Sequence, residues 1–305
     1  MPNRALMPGG RFRHFLAIDW SGAVGERQRG IALGLCSDAG EAPRLLPPPH
    51  HRHWSREGVR RYLLDDLPPD TLVGLDLGIS LPFADAGAYF PGWSDSPGDA
   101  RALWALIDEV CADDPHLSAG SFVDHLEASA YFRRHGGREG RAFHLPGTAH
   151  RRGRFRVTEL AQERAGGKPY SNFNLVGAAQ VGKSSLTGMR LLQRLGGRLF
   201  VWPVDGLEPP ARGSVVVEIY TTIAALAAQR TAGRSKIRDG EALDAALAAL
   251  GSAPAGLSGP VDDHSSDALL TSAWLRRHAH DKTLWHPAEL TPEIARTEGW
   301  TFGAR

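Results

Sequence analysis

Three carboxylates occupy strand-like segments whose other residues are apolar. Asp19, Asp76 and Glu218 each follow directly on a run of mainly aliphatic residues. A carboxylate that is buried alone in its ionised form is costly, and it needs a cation, a proton or a dense set of hydrogen-bond donors. A divalent cation shared by all three acids would meet the three costs at once. Asp19 by itself is also explained as an acid that ends a strand and accepts hydrogen bonds from a turn.

A helix predicted late in the chain carries two more side chains of this kind. Asp267 shares one helical face with Leu270 and Trp274, and His264 lies three residues before Asp267. Helix capping explains Asp262, which precedes the helix. It explains Asp267 less well, because a capping acid has no reason to share a face with core residues. We therefore expect His264 and Asp267 to join the strand acids.

These side chains are positioned by a predicted alternation of strands and helices. Strands are predicted at 14–22, 30–36, 44–47, 71–78 and 214–221, and helices at 55–66, 99–112, 121–135, 184–195, 222–229, 240–250 and 261–275. The alternation indicates the α/β class, with a mostly parallel sheet and helices on its faces. We expect one domain over 12–285 with a mostly helical insertion at 81–213, because no linker composition separates the insertion. Residues 286–305 are predicted to be a C-terminal tail.

Four short motifs occur in a distinctive order along the chain. They are Ile-Asp-Trp-Ser-Gly at 18–22, Gly-Leu-Asp-Leu-Gly-Ile-Ser-Leu-Pro at 74–82, Val-Glu-Ile-Tyr at 217–220 and His-Ser-Ser-Asp-Ala-Leu at 264–269. In this order they resemble a family of predicted nucleases with a ribonuclease H-like fold, catalogued as domain-of-unknown-function family 429. The arrangement is also similar to resolvase-type ribonuclease H-like nucleases. The resemblance implies a ribonuclease H-like mixed sheet with flanking helices.

The same resemblance implies hydrolysis of phosphodiester bonds with Mg²⁺ or Mn²⁺. In such a mechanism two metal ions about 3.5–4 Å apart act on the scissile phosphate. The resemblance implies that Asp19 bridges the ions, that Asp76 holds one of them and that Asp267 holds the other. His264 is expected to be a ligand or a general base, since its ordinary pKa of about 6.5 suits proton transfer near neutrality. Glu218 is expected to be a ligand or an outer-shell acid.

A basic stretch suggests where a nucleic acid, DNA or RNA, would bind. Residues 133–168 contain ten Lys and Arg against three acids, a local charge of +7, with aromatic residues interleaved. The candidate contacts to substrate phosphates are Arg151, Arg152, Arg154 and Arg156. A solvated surface without a ligand is the alternative.

Two other functions remain open at the sequence level. Residues 177–184 satisfy the phosphate-loop expression G-x-x-x-x-G-K-[ST], but the preceding segment does not read as the buried strand that such a loop needs. The segment around Asp76 also resembles the first phosphate loop of actin-like sugar kinases. An ATP-dependent phosphotransferase of actin-like or P-loop type is therefore an alternative, and a non-catalytic nucleic-acid-binding protein is another.

The amino-acid composition excludes one class of nucleic-acid binder and indicates the cellular compartment. The chain of 305 residues has 35 Lys and Arg against 34 Asp and Glu, which excludes a uniformly cationic nucleic-acid binder. Its two cysteines, Cys36 and Cys111, favour a reducing compartment, and without a membrane span or signal sequence a cytoplasmic location is expected. His50, His51 and His53 lack the further ligands of a metal site and indicate a solvated loop. The oligomeric state stays open.

Overall fold

The computed structural model describes residues 10–146, 152–177, 181–230 and 236–305. Its strands are β1 (His14–Asp19), β2 (Arg27–Gln28), β3 (Ala32–Ser37), β4 (Arg44–Leu45), β5 (Trp54–Ser55), β6 (Thr71–Asp76), β7 (Arg133–Arg134), β8 (Arg138–Glu139), β9 (Phe200–Trp202) and β10 (Val215–Glu218). Its helices are α1 (Arg56–Arg61), α2 (Ala100–Val110), α3 (Gly120–Val123), α4 (Val157–Arg164), α5 (Val181–Arg194), α6 (Thr221–Ala227), α7 (Gly240–Ala249), α8 (Asp263–His278), α9 (Lys282–Trp285) and α10 (Pro292–Thr297).

The main sheet has six strands in the order β4-β3-β1-β6-β10-β9. The pairs β1–β6, β6–β10 and β10–β9 are parallel, whereas β3 runs antiparallel to both β1 and β4. The predicted α/β class with a mostly parallel sheet and flanking helices is confirmed. Two small two-stranded sheets, β2–β5 and β7–β8, lie outside this one.

Helix α8 packs directly across β1 and β3. Gly34 of β3 makes this approach possible, because a Cβ atom at that position would lie 2.4 Å from the carbonyl oxygen of Ala268. Leu269, Leu270 and Leu275 fill the interface and are buried. The glycine therefore fixes how closely the amino-terminal turns of α8 approach the sheet.

The insertion at 81–213 covers the opposite face of the sheet, with α2 packed on α5. It is not only helical, because β9 within it forms an edge strand of the main sheet. The helix expected at 121–135 is wrong: α3 ends at Val123 and a single 3₁₀ turn follows at 128–131. Tertiary packing overrides the helical pattern here, since Phe122 packs on Phe90 and Phe132 packs on Phe173.

Residues 286–305 are part of the core rather than the tail that the sequence predicts. Trp300 and Phe302 are fully buried. Thr301 forms a bridge with Glu218, and the amide of Phe302 donates to the carbonyl of Glu218 at 2.8 Å. The segment thus extends the packing beside β10.

Throughout the described ranges, every helix is too short or too polar to cross a membrane.

Candidate active site

Asp19 and Asp76 end two adjacent parallel strands. They are register partners in the β1–β6 ladder, so their backbones lie one strand spacing apart, about 4.8 Å. Asp19 is only 7% exposed, and the residues before both acids are buried. The carboxyl ends of parallel strands meet at one edge of the sheet. The register therefore places the backbones of these two acids side by side.

The first turn of α8 brings a histidine to the same place. Asp262 caps this helix by accepting a hydrogen bond from the amide of Ser265 at 2.9 Å, as expected for an N-cap residue. The Nδ1 atom of His264 lies 3.1 Å from Oδ2 of Asp19. The hydrogen bond to Asp19 raises the pKa of His264. The structure therefore joins the late helix to the end of β1.

Asp267, one turn further along α8, completes a group of mutually repelling acids. Burial, followed by the charges of Asp19 and Asp267, raises the pKa of Asp76 well above its ordinary value. Burial, followed by the charges of Asp19 and Asp263, raises the pKa of Asp267 to about 7. We call Asp19, Asp76 and Asp267 the carboxylate edge. No ion pair reaches Asp76 or Asp267 from any residue in the described ranges.

The chemistry of the carboxylate edge fits a hard divalent cation. Mg²⁺ and Mn²⁺ prefer oxygen ligands, and the three carboxylates supply only oxygens. As the side chains stand, no three His, Cys, Asp or Glu residues of the described chain are grouped closely enough to hold a metal ion. The donors are of the right chemical type although they are not grouped for coordination. Burial and the neighbouring carboxylate charges raise the pKa of Asp76 and Asp267, and a cation would relieve the repulsion between those charges.

Glu218 is engaged elsewhere, although it ends β10 beside β6. Its carboxylate accepts hydrogen bonds from Nη1 and Nη2 of Arg156 at 2.8 and 2.6 Å. It also accepts from the amide of Ile79 at 2.9 Å and from the hydroxyl of Thr301. These donors occupy both oxygens. Of the two roles expected for Glu218, the contacts disfavour a metal ligand and leave that of an outer-shell acid.

Arg156 is the centre of a buried network that we call the arginine network: Arg156, Glu159, Glu218 and Glu298. Arg156 is 1% exposed. Its Nε donates to Glu159 at 3.0 Å and its Nη1 to the carbonyl of Glu298 at 3.0 Å. The carboxylate of Glu298 accepts from the amides of Phe83, Ala84 and Val157. The network connects the insertion, the sheet and the C-terminal segment.

The other arginines predicted to contact substrate are also not free surface groups. Arg154 is fully buried and donates to the carboxylate of Asp85 and to three backbone carbonyls. The prediction that Arg154 and Arg156 contact substrate is therefore wrong, because both guanidinium groups are buried and form their hydrogen bonds within the protein. Arg152 is partly exposed and pairs with Glu163. Arg151 lies outside the described residues.

A cleft of about 290 Å³ opens beside the carboxylate edge. It lies at the carboxyl ends of β6 and β10, and Asp76 forms part of its wall. Its lining combines aromatic rings with polar and cationic groups, among them Trp20, Lys168, Tyr170, Asn172 and Tyr220. The sequence analysis did not identify Tyr170 or Asn172, because neither belongs to a motif and only the fold places them beside Asp76.

The phosphate-loop expression at 177–184 has no strand leading into it. Residues 171–177 form turns and a single bridge, and 178–180 lie outside the described residues. Helix α5 begins at Val181 and its first turn supports the turn after β1. A Cβ atom on Gly22 would lie 2.3 Å from the carbonyl carbon of Lys183. Gly22 is therefore required for this close approach.

Comparison with protein-family models, with curated proteins and with solved structures finds no match for this chain.

Proposed function

We propose that this protein is a metal-dependent phosphodiesterase that acts on nucleic acid. One observation carries the proposal: the carboxylate edge gathers one buried and two half-buried acids, and no cation of the described chain pairs with Asp76 or Asp267, while a neighbouring buried acid, Glu218, is paired with Arg156. Three carboxylates at the carboxyl ends of adjacent strands and on one helix are a typical arrangement for holding Mg²⁺ or Mn²⁺ in phosphodiester hydrolysis.

Each residue of the edge has a distinct task in this proposal. Asp19 and Asp76 hold the cation from the sheet, and Asp267 holds it from α8. His264 would donate a hydrogen bond from Nδ1 to the Asp19 carboxylate and so orient it, which leaves Nε2 to take a proton from the attacking water. When bound, the metal supplies Lewis-acid stabilisation of phosphate charge and lowers the pKa of water.

The order of the elements supports a ribonuclease H-like core as the finer description of the fold. Three strands, a helix and a fourth strand with the second acid are followed by a late helix that carries His264 and Asp267. This is the order that the sequence motifs share with the predicted nucleases and the resolvase-type enzymes. The edge strand β9 and the insertion around it are additions to that core.

The cleft beside Asp76 supports a substrate larger than a phosphate ion. Its volume of about 290 Å³ is near the lower end of the range for small-molecule sites. Tyr170 is 40% exposed at its mouth, and an exposed aromatic ring is a platform on which a base can stack. We infer that one nucleotide of the substrate enters this cleft while its phosphate faces Asp76.

Cleavage assays test the proposal directly. Single-stranded and duplex DNA and RNA oligonucleotides are incubated with the protein in Mg²⁺, in Mn²⁺ or in EDTA, and products are separated by size. We expect cleavage that requires a divalent cation and that is lost in Asp19→Asn. The matched control is Asp38→Asn, the same chemical change just after β3, at the opposite edge of the sheet.

Two results would overturn the proposal. Cleavage that persists in EDTA or in Asp19→Asn would show that the carboxylate edge is not the catalytic centre. ATP binding by calorimetry, with no cleavage of any oligonucleotide, would instead support the phosphotransferase alternative.

A further inference from the structure

A positively charged surface borders the carboxylate edge on the side away from the cleft. It consists of the hairpin at 26–30 and the loop at 50–53, which the short β2–β5 ladder holds together. Its cationic and imidazole side chains are Arg27, Arg29, His50, His51, Arg52 and His53, and we call them the arginine–histidine rim. Nη2 of Arg27 lies 2.8 Å from Nε2 of His51, so the two segments are also joined by their side chains.

The sheet register places this rim next to the catalytic candidates. Ala32, at the start of β3, pairs with Asp19, at the end of β1. The hairpin that enters β3 therefore lies at the same edge as the carboxylates. A Cβ atom on Gly30 would be 3.3 Å from Cε1 of His264, and Oγ of Ser21 donates to Gln28 at 3.4 Å. Arg29 precedes Gly30 directly.

The charge of the rim is available, whereas much of the charge of the basic stretch at 133–168 is paired or buried and only Arg138, Arg141 and Lys168 there are exposed without an ion pair in the described chain. Glu26 is the one acid within these two segments, and it pairs with Arg27 at 3.0 Å. Arg29 and Arg52 are exposed, and neither forms an ion pair with any residue of the described chain. In the basic stretch, by contrast, Arg134, Arg152 and Arg164 pair with acids and Arg154 and Arg156 are buried.

We propose that the arginine–histidine rim binds the phosphodiester backbone of the nucleic-acid substrate. Guanidinium groups bind phosphate with paired hydrogen bonds, and contacts of this kind fix the register of a nucleic acid on a protein. They are needed here because the carboxylate edge is negative and repels phosphates until a cation is bound. The substrate class in this inference rests on the proposed function.

The spacing of the strands is compatible with one substrate strand that contacts both the rim and the carboxylate edge. From β3 to β6 is two strand spacings, about 10 Å. Successive nucleotides of a duplex strand rise about 3.4 Å. Phosphates bound near the start of β3 would therefore belong to nucleotides within about three steps of the phosphate at Asp19 and Asp76. The substrate would run across the strand ends, from the rim over the carboxylate edge into the cleft.

Binding is measured without cleavage, in EDTA, by fluorescence anisotropy of labelled single-stranded and duplex oligonucleotides over a range of salt concentrations. The test variant is Arg29→Ala/Arg52→Ala. The control is Arg13→Ala/Arg212→Ala, which removes the same charge from exposed positions at the opposite edge, before β1 and β10. We expect the test variant to raise Kd at least tenfold and the control to stay within about twofold. Each lost phosphate contact should flatten the log–log salt slope by about 0.9 for a duplex or 0.7 for a single strand.

An unchanged Kd in the test variant overturns the inference, and so does an equal loss in both variants, because that would reflect net charge alone. Vesicles of phosphatidylserine and phosphatidylcholine form a second arm. Rim-dependent binding to vesicles without binding to oligonucleotides also overturns it.

Metal-dependent cleavage is measured separately on the same variants, so the two proposals fail independently. If the parent protein binds oligonucleotides through the rim but never cleaves them, the rim assignment stands and the proposed function fails. If cleavage requires Mn²⁺ but the rim variant binds oligonucleotides with the Kd of the parent protein, the proposed function stands and the rim assignment fails.

Discussion

The carboxylate edge and the arginine network are two buried acid clusters at the ends of neighbouring strands, with opposite solutions to the same electrostatic problem. In the arginine network, Arg156 and several backbone amides neutralise Glu218, Glu159 and Glu298. Burial nevertheless raises the pKa of Glu159 to about 7. At the carboxylate edge, His264 contacts Asp19, but no cation of the described chain pairs with Asp76 or Asp267, and burial, followed by the other carboxylates, raises the pKa of Asp76 well above its ordinary value. A buried acid that the chain balances is a structural element, whereas a group of buried acids that it leaves unbalanced favours an external cation.

This difference has a structural origin in the insertion. Arg156 precedes α4 and lies over β10, where it reaches Glu218. At the next strand, β6, the insertion forms much of the wall of the cleft in front of Asp76, but none of its described cations forms an ion pair with that acid. The same added segment thus pairs an arginine with Glu218 and lines the cleft beside Asp76 without neutralising it.

The largest effect is expected at the centre of the arginine network. Arg156→Ala leaves Glu159 and Glu218 buried without their cation, and breaking a buried ion pair in this way costs about 3–5 kcal/mol of folding stability. Urea denaturation followed by circular dichroism measures the loss. Arg152→Ala is the matched control, since its pair with Glu163 is partly exposed and contributes no more than about 1 kcal/mol. Equal effects of the two substitutions would remove the distinction between the clusters.

Asp19→Asn should have the opposite signature. It removes a buried charge but keeps an oxygen that can accept the hydrogen bond from His264, so folding in metal-free buffer should be unchanged or slightly improved. Metal-dependent cleavage should fall more than 100-fold, about 2.7 kcal/mol at 1.36 kcal/mol per tenfold. Thermal melts should also show that Mn²⁺ stabilises the parent protein, by about 2.7 kcal/mol at 100 times Kd, but not the variant. Strong destabilisation by Asp19→Asn would show that this acid is structural like Glu218.

The pH dependence of stability has contributions from both clusters, since burial raises the pKa of Asp267 and of Glu159 alike to about 7. A carboxyl group whose pKa is raised by folding holds its proton more tightly in the folded protein than in the unfolded chain. In the metal-free protein the stability contributed by Asp267 should therefore be lost as pH rises from about 4, the ordinary value for Asp, to about 7. The slope is at most about 1.4 kcal/mol per pH unit for each such group.

Asp267→Asn removes one of these groups and should flatten that pH profile, whereas Asp38→Asn should leave it as it is. The profile is measured by urea titrations in EDTA at intervals of half a pH unit. The same profile in Asp267→Asn as in the parent protein would contradict the unbalanced state of the carboxylate edge.

Much of the carboxylate edge could be predicted from the sequence because the evidence for it is local. Asp19 and Asp76 stand at the ends of apolar runs, and His264 and Asp267 stand one helical turn apart. The sheet and the flanking helices follow from the same periodicities. Such features need no knowledge of which residues meet across the fold.

The features that could not be predicted from the sequence depend on contacts between residues that are far apart in the chain. Glu218 has the same local context as Asp76, but its cation, Arg156, is 62 residues away. The arginine–histidine rim depends on a β2–β5 ladder of two residues per strand, which is too short to produce a periodic pattern. Trp300 and Phe302 are isolated large apolar residues near the C-terminus, and only tertiary packing shows that they belong to the core.

The smallest change in folding stability is expected for substitution of Lys183, which also tests the contrast between the carboxylate edge and the arginine network. It is the lysine of the phosphate-loop expression, and its backbone lies against Gly22, three residues after Asp19. It is therefore the cation that would balance the carboxylate edge internally if the chain did supply one. Lys183→Ala keeps the backbone and Cβ contacts with the turn after β1, so folding stability should change by no more than about 0.5 kcal/mol. Mn²⁺ binding measured by calorimetry should be unchanged.

A loss of stability comparable to that of Arg156→Ala would mean that Lys183 balances these acids as Arg156 balances Glu218. Loss of ATP binding in Lys183→Ala, together with undisturbed Mn²⁺ binding in Asp19→Asn, would move the functional centre from the carboxylates to the phosphate loop.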